Sequence, residues 1–251
     1  MAMTNFNDHF GKVAGRYADF RPTYPAELFD WLATQCGAHE LVWDCGCGNG
    51  QASVALAAHF RLVHATDASA GQVEHATPHP QVRYATAPAS ASGLPDASAD
   101  LITVAQALHW FADDSFYDEA KRVLKPGGLL AAWSYGMIVV EGDAVNDAIQ
   151  HFYHRVIGPY WPPERRHVET GYRELPFPFT RIPTPALAMQ VAWPLSQLLG
   201  YLGSWSASAR YREATGKDAV EALGEVLLGC WGDPAQPRSV SWPLSILAGR
   251  P

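Results

Sequence analysis

The stretch VWDCGCGNGQAS, Val42–Ser53, crowds three glycines and two cysteines behind an aspartate. The apolar run Leu41–Cys45 before it reads as a strand, and the Ala-rich run Gln51–Phe60 after it reads as a helix. The glycines therefore occupy a strand-to-helix turn, and what such a turn holds decides the fold. A metal is the first possibility. Cys45 and Cys47 form a C-x-C pair, but no second Cys or His pair lies nearby at ligand spacing, and His39 and His59 flank the loop on separate elements. No metal is expected. A dinucleotide needs G-x-G-x-x-G. Gly46 and Gly48 satisfy the first half, yet the last required position is Gln51 and the third glycine falls one residue early, at Gly50. Asp44 also stands where a pyrophosphate would be repelled. The pattern suits a cationic or zwitterionic ligand lying across the turn.

Composition narrows the classes. A chain of 251 residues, 48% hydrophobic and 17% charged, suits one large α/β domain or one domain with an insertion. A net charge of −7 without any Lys/Arg run argues against a nucleic-acid partner. MAMTNFNDHF lacks the basic and apolar regions of a secretory signal, and no apolar stretch is long enough to span a bilayer. Four cysteines (Cys36, Cys45, Cys47 and Cys230) give no disulfide framework. The expectation is a cytoplasmic protein with reduced thiols, no membrane partner, and a monomeric or homodimeric state.

Strand and helix patterns alternate through the first half: a helix after Pro25, strand Leu41–Cys45, helix Gln51–Phe60, strand Leu62–Asp67, a helix capped by Ser69, and strand Val82–Ala87. Strand Leu101–Ala107, helix Ser115–Leu124, a turn at Pro126–Gly128 and strand Leu129–Trp133 follow. This alternation predicts a mainly parallel sheet covered on both faces. The second half changes character. A helix over Ala144–Ile157 leads to GPYWPPERR, and LPFPFTRIPTP forms a second proline cluster. Strand Ala188–Trp193, helices Leu195–Leu202 and Val220–Leu228, and strand Val240–Leu247 complete the chain. The organisation predicted is a single domain: an N-terminal lid (1–24), a cofactor-binding core (25–140), a cap (141–180) and a C-terminal part completing the sheet (181–251).

D-x-G-x-G-x-G after a strand resembles motif I of the class I S-adenosylmethionine-dependent methyltransferases. Asp67, closing LVHATD, stands where that family places the acid for the ribose hydroxyls, and a carboxylate accepts hydrogen bonds from both. GLPDASADLITVAQALHWF and RVLKPGGLLAAW match the family's later segments in the right order, from Leu41 to Trp133 overall. FGKVAGRYADFRPTYPAEL, QALHWF and SWSASARYRE look like a small-molecule subgroup of the type 11 methyltransferases, related to trans-aconitate methyltransferase. The resemblance implies a Rossmann-like α/β fold of seven strands, mainly parallel with the last antiparallel, carrying an α-helical cap. It implies S-adenosylmethionine as cofactor, held by Tyr17, Arg21, Asp44, Gly46, Cys47, Gly48, Gly50, Asp67, Ala68, Ala89, Ser90 and Gln106. One departure is Ala87-Pro88-Ala89-Ser90, where the group usually carries an acid, so adenine would be met by backbone or by the Ser90 hydroxyl.

Each of these residues also has a plainer reading. Asp44 is a possible helix-capping carboxylate, Asp67 a strand end, and glycines belong in any tight turn. His109 and Trp110 read either as the aromatic wall of a packed turn or as the floor of an acceptor pocket, with His109 as candidate general base. Trp161, Arg165 and Trp205 are candidate acceptor contacts, with Arg165 and its neighbour Arg166 able to receive a carboxylate bidentately, or else ordinary solvated positions; the other histidines read as surface residues. The function expected is methyl transfer to a small-molecule acceptor, with a carboxylate as the candidate acceptor group. An NAD(P)-dependent oxidoreductase and a non-catalytic adenosyl-ligand binding protein are the alternatives.

Overall fold

The computed structural model describes residues 22–251. Tyr17 and Arg21, and most of the N-terminal segment expected as a lid, lie outside the described residues. Five strands run parallel in the order β3-β2-β1-β4-β5: β1 (Leu41–Cys45), β2 (Leu62–Asp67), β3 (Val82–Thr86), β4 (Ala99–Ala105) and β5 (Leu124–Tyr135). The last strand, β9 (Arg238–Arg250), lies antiparallel against β5, and β8 (Ala188–Trp193) lies antiparallel on its far side. Two two-residue strands, β6 (Val139–Val140) and β7 (Thr180–Arg181), also pair with β9 and bring the described sheet to nine strands rather than seven. The chain starts at β1, winds outward to β3, then crosses back to β4. That reversal opens a crevice at the carboxyl ends of β1 and β4, where open α/β sheets bind ligands.

Alternation along the strands feeds two cores, one per sheet face. Val42, Leu101, Leu129, Ala131 and Trp133 pack on one side with α1 (Ala26–Thr34) and α2 (Gln51–Leu56). Trp43, Ile102, Val104, Leu130 and Ala132 pack on the other with α4 (Asp114–Val123). Local chemistry fixes the helix starts. Ser69 accepts the Gln72 N–H to cap α3 (Ala70–Glu74), and Asp113 accepts the Phe116 N–H to cap α4, whose last turn carries Lys121 and Arg122. The turn expected at Pro126–Gly128 is part of the extended β5 run instead, with a register shift between Ala99 and Leu101.

The cap is more broken than its sequence pattern predicts. In place of one helix over 144–157, α5 (Asp143–His151) opens into a π turn, Phe152–Val156, then a 3-10 turn and the short α6 (Arg165–Glu169). The wide turn lets the consecutive Phe152 and Tyr153 both be buried, which a regular helix face does not favour. After α7 (Leu195–Gly203), the Ser-rich segment between the two expected helices is itself a helix, α8 (Ser206–Thr215), stopped by left-handed Gly216; α9 (Ala219–Trp231) follows. No described helix is long and apolar enough to cross a membrane.

Candidate active site

Gly46, Gly48 and Gly50 all adopt left-handed backbone, with φ of 70°, 54° and 84°. Space as well as φ demands glycine at the first: a Cβ on Gly46 would stand 2.7 Å from the Ala107 Cβ. The loop is fastened to the end of β2, because the Gly46 and Cys47 N–H groups both donate to the Thr66 carbonyl, at 2.8 and 3.0 Å. Asp67 completes the fastening. Its Oδ2 accepts the Gly48 N–H and its Oδ1 accepts the Ser69 N–H, both at 2.9 Å. Each oxygen keeps a further acceptor site, and the side chain is only partly buried, so two hydroxyls of a sugar diol fit the arrangement. Ala68 beside it is exposed.

Asp44 lies beneath the loop, fully buried. Burial pushes its carboxyl up to about 6, against the lowering effect of hydroxyl donors from Ser53 and Thr103. Its charge therefore acts on the crevice from below rather than from the surface. The two loop cysteines separate: Cys45 joins the core on one sheet face and Cys47 the core on the other. They do not converge on a common ion, and among the described residues no cluster of three or more His, Cys, Asp or Glu is placed to hold a metal.

Gln106, just past β4, is one of three described non-glycine residues at positive φ (58°). Its N–H donates to the Trp133 carbonyl and its Nε2 to the Tyr135 carbonyl, at 2.9 and 3.0 Å. A left-handed glutamine costs about 1–2 kcal/mol, and such strain at a switch point marks a site held in shape by its surroundings. On the opposite rim, Ala89 is half-buried and Ser90 exposed. The segment that follows is anchored where Glu119 accepts both the N–H and the hydroxyl of Ser92. Arg122, with help from Ser92, holds the Glu119 carboxyl down to about 2.

The residues expected to meet the acceptor lie in the turn after β4 and in the segment 141–180. His109 Nδ1 lies 3.2 Å from the Tyr172 hydroxyl, and the Trp110 ring centre lies 4.7 Å from its own. Burial, then Arg165 and His167, press the His109 imidazole down to about 4, so it is neutral at physiological pH. Arg165 Nε donates to the Tyr153 hydroxyl at 2.9 Å, and that hydroxyl donates to Glu169 at 2.6 Å. The guanidinium also stacks on Trp161, 4.7 Å from the ring centre. Tyr153, Trp161, Arg165 and Glu169 line a cavity of about 300 Å³ with His154 and Gly158; His109 and Trp110 are not among its lining residues. Trp161 Nε1 and His167 Nδ1 are buried without a hydrogen-bond partner among the described residues, so His167 is not the surface residue expected. Trp205, 6% exposed, does not line that cavity. It packs behind it, 5.5 Å from the Trp161 ring and 5.6 Å from Tyr153.

The crevice thus collects the glycine loop, Asp67 and Gln106, while His109, Trp161 and Arg165 belong to the cap side. Sequence reasoning missed Tyr84, whose hydroxyl would lie 2.1 Å from a Cβ on Gly50, and Tyr172. The alternation of β3 hinted at Tyr84; nothing in TGYRE pointed to Tyr172.

Known proteins resemble this chain in sequence and fold. The family described as "Methyltransferase domain" matches residues 43–132. A Dictyostelium discoideum protein assigned as a methyltransferase is 36% identical over 230 residues, covering 90% of this chain and 87% of its own. An Aspergillus candidus methyltransferase is 30% identical over 188 residues, covering 64% of this chain and 59% of its own. A solved structure from Anaeromyxobacter dehalogenans, assigned as a type II methyltransferase, superposes with a TM-score of 0.88 at 46% identity and covers 92% of this chain and 98% of its own. The chain belongs to the class I methyltransferases, whose methyl donor is S-adenosylmethionine.

Proposed function

We propose that the acceptor is a small molecule bearing a carboxylate and that the product is its methyl ester. The observation that carries this reading is Arg165. Its Nε is fixed by Tyr153 and its face by Trp161, inside the cap cavity. Among the described residues no carboxylate forms an ion pair with it. Arg166, next in sequence, pairs with Glu174 at 3.0 Å instead. A guanidinium held by one nitrogen leaves a fork that matches a carboxylate bidentately.

The division of labour follows. When bound, S-adenosylmethionine supplies an electrophilic methyl group on a sulfonium. Asp67 holds the ribose hydroxyls, and the left-handed glycines let the chain approach the ligand closely. Arg165 orients the acceptor from the cap, and the surrounding aromatic rings exclude water. A carboxylate is already ionised at neutral pH, so no base has to be found for it. The likeness to the trans-aconitate methyltransferase subgroup supports the same acceptor class.

The test uses methyl-labelled S-adenosylmethionine and a panel of mono-, di- and tricarboxylic acids beside phenols and amines. Mild alkali hydrolyses methyl esters and releases volatile labelled methanol. Alkali-labile label on a carboxylic acid, with KM raised in Arg165→Ala, is the expected result. Alkali-stable label on a phenol or amine, with the acids unmodified, would remove the carboxylate from the account.

A further inference from the structure

We propose that Tyr172 is a positioning residue that fixes His109 as the Nε2–H tautomer, so that His109 meets the acceptor as a neutral hydrogen-bond donor and not as a base. What the donor is for rests on the carboxylate reading above; the tautomer itself does not.

The hydrogen-bond accounting at Tyr172 gives the direction. Its side chain is fully buried and its backbone sits at φ 62°, so the hydroxyl is held in place. Among the described residues the side chain that meets this hydroxyl is His109, through Nδ1 at 3.2 Å. If Nδ1 carried the hydrogen and donated it, the phenol O–H, on a fully buried side chain, would be left without an acceptor among the described residues. A buried unsatisfied donor is costly. With the phenol donating to Nδ1, both groups are satisfied. An imidazole whose Nδ1 accepts carries its hydrogen on Nε2, at the far edge of the ring.

The surroundings keep the ring from gaining a second proton. Arg165 and His167 both face it from the cap, and no carboxylate contributes to its charge balance. A ring with its Nδ1 lone pair occupied and its Nε2 protonated has no basic nitrogen left to offer. A phenol or alkyl hydroxyl, which must lose a proton, would find no help from His109. An acceptor that arrives as an anion finds a donor in Nε2–H and a cation in Arg165, two groups on different elements: the turn after β4 and the cap.

The decisive experiment is a long-range ¹H–¹⁵N correlation spectrum of protein labelled with ¹⁵N-histidine, at pH 7, with and without S-adenosylhomocysteine. The His109 pattern is assigned by its absence in His109→Gln. The expected pattern is a protonated Nε2 and an unprotonated Nδ1, with Tyr172→Phe shifting the ring toward the other tautomer while the fold is kept. A protonated Nδ1 in the unaltered protein, or a doubly protonated ring at that pH, overturns the proposal. So does an Nε2–H ring that Tyr172→Phe leaves unchanged. If Tyr172→Phe does not fold, the pattern of the unaltered protein decides. Activity provides an independent arm. His109→Gln retains a donor without basicity and should exceed His109→Ala about ten- to a hundred-fold in kcat/KM. Equal losses in the two variants, or methylation of a phenol that His109→Gln abolishes, would overturn the donor role, while methylation of a phenol that His109→Gln still supports would remove the carboxylate reading and leave the tautomer result standing.

Discussion

The Ser53 hydroxyl donates to Asp44 Oδ2 at 2.5 Å, tying the first turn of α2 to the last turn of β1 beneath the glycine loop. Thr103 on β4 donates to the other oxygen at 2.8 Å. One buried carboxylate thus joins the strand, the helix and the neighbouring strand that frame the crevice.

That junction has a pH signature. Burial raises the Asp44 carboxyl to about 6, against roughly 3.9 in an unfolded chain. A carboxyl raised on folding gives stability that is fully present below the unfolded value and is lost as pH rises through the folded one, here between about pH 4 and 6. The loss is on the order of 3 kcal/mol for a shift of about two units. Asp44→Asn is therefore expected to melt above the unaltered protein at pH 8, with the gap closing toward pH 4, in scanning calorimetry at both values. The same variant should lose more affinity for S-adenosylmethionine, a cation at sulfur, than for uncharged-sulfur S-adenosylhomocysteine. A lower melting temperature than the unaltered protein at pH 8 would contradict the assignment of the cost to ionisation.

Gly46→Ala carries two separable penalties. Its methyl would meet Ala107 Cβ at 2.7 Å, and its φ of 70° is left-handed. Ala107→Gly removes the first and not the second. The single variant should be destabilised by more than the roughly 1–2 kcal/mol of a left-handed residue, and Gly46→Ala/Ala107→Gly should recover only the excess. Denaturant unfolding of the three variants checks this; full recovery in the double variant would show that backbone strain is not part of the cost.

The sheet was legible where a short apolar strand precedes a helix start with its own capping chemistry, as β2 and β4 do. The Ser69 and Asp113 caps are examples. The glycine loop was legible because left-handed backbone leaves a residue-type signature. The cap was not. Its π turn depends on where Phe152 and Tyr153 can be buried, a tertiary matter that helical periodicity does not encode. Trp205 illustrates the same gap: it was a candidate acceptor contact, whereas its ring lies among Tyr153, Trp161 and Tyr201. Tyr172 acquires its importance only through contact with a residue 63 positions away.

The loop thiols should be chemically silent. Cys45 is 1% exposed and Cys47 8% exposed, and burial raises both thiols far above their ordinary range, with Asp44 adding to each. Burial also lifts Cys36 to about 11. A disulfide reagent at pH 8 should therefore modify Cys230 first and reach Cys45 and Cys47 only on unfolding, as read by mass spectrometry of the modified peptides. Fast modification of Cys45 or Cys47 in the folded protein would refute the packing described for the loop.

The chain enters the described fold beside the cofactor loop. Gln51 Nε2, on the first residue of α2, donates to the Pro22 carbonyl at 3.0 Å. Pro22, the first described residue, is thereby held beside the glycine loop; Tyr17 and Arg21 precede it in sequence, and the resemblance to the methyltransferases assigns them to the methionine end of the ligand. Deleting residues 1–21 should leave cooperative unfolding intact and weaken binding of S-adenosylhomocysteine. In hydrogen exchange, residues around 10–24 should gain protection when that ligand is added. Equal exchange with and without ligand would remove Tyr17 and Arg21 from the site.

The central claim is that the glycine loop and Asp67 form the cofactor site, and calorimetric titration with S-adenosylhomocysteine addresses it most directly. The unaltered protein is expected to bind one equivalent without added metal and to give no heat with NADH. Asp67→Ala removes the acceptor of two ribose hydroxyls; at about 1.5–3 kcal/mol for hydrogen bonds to a charged group, its affinity should fall roughly ten- to a hundred-fold in protein that still unfolds cooperatively. Equal affinity in the two proteins, or tighter binding of NADH than of S-adenosylhomocysteine, would contradict the account.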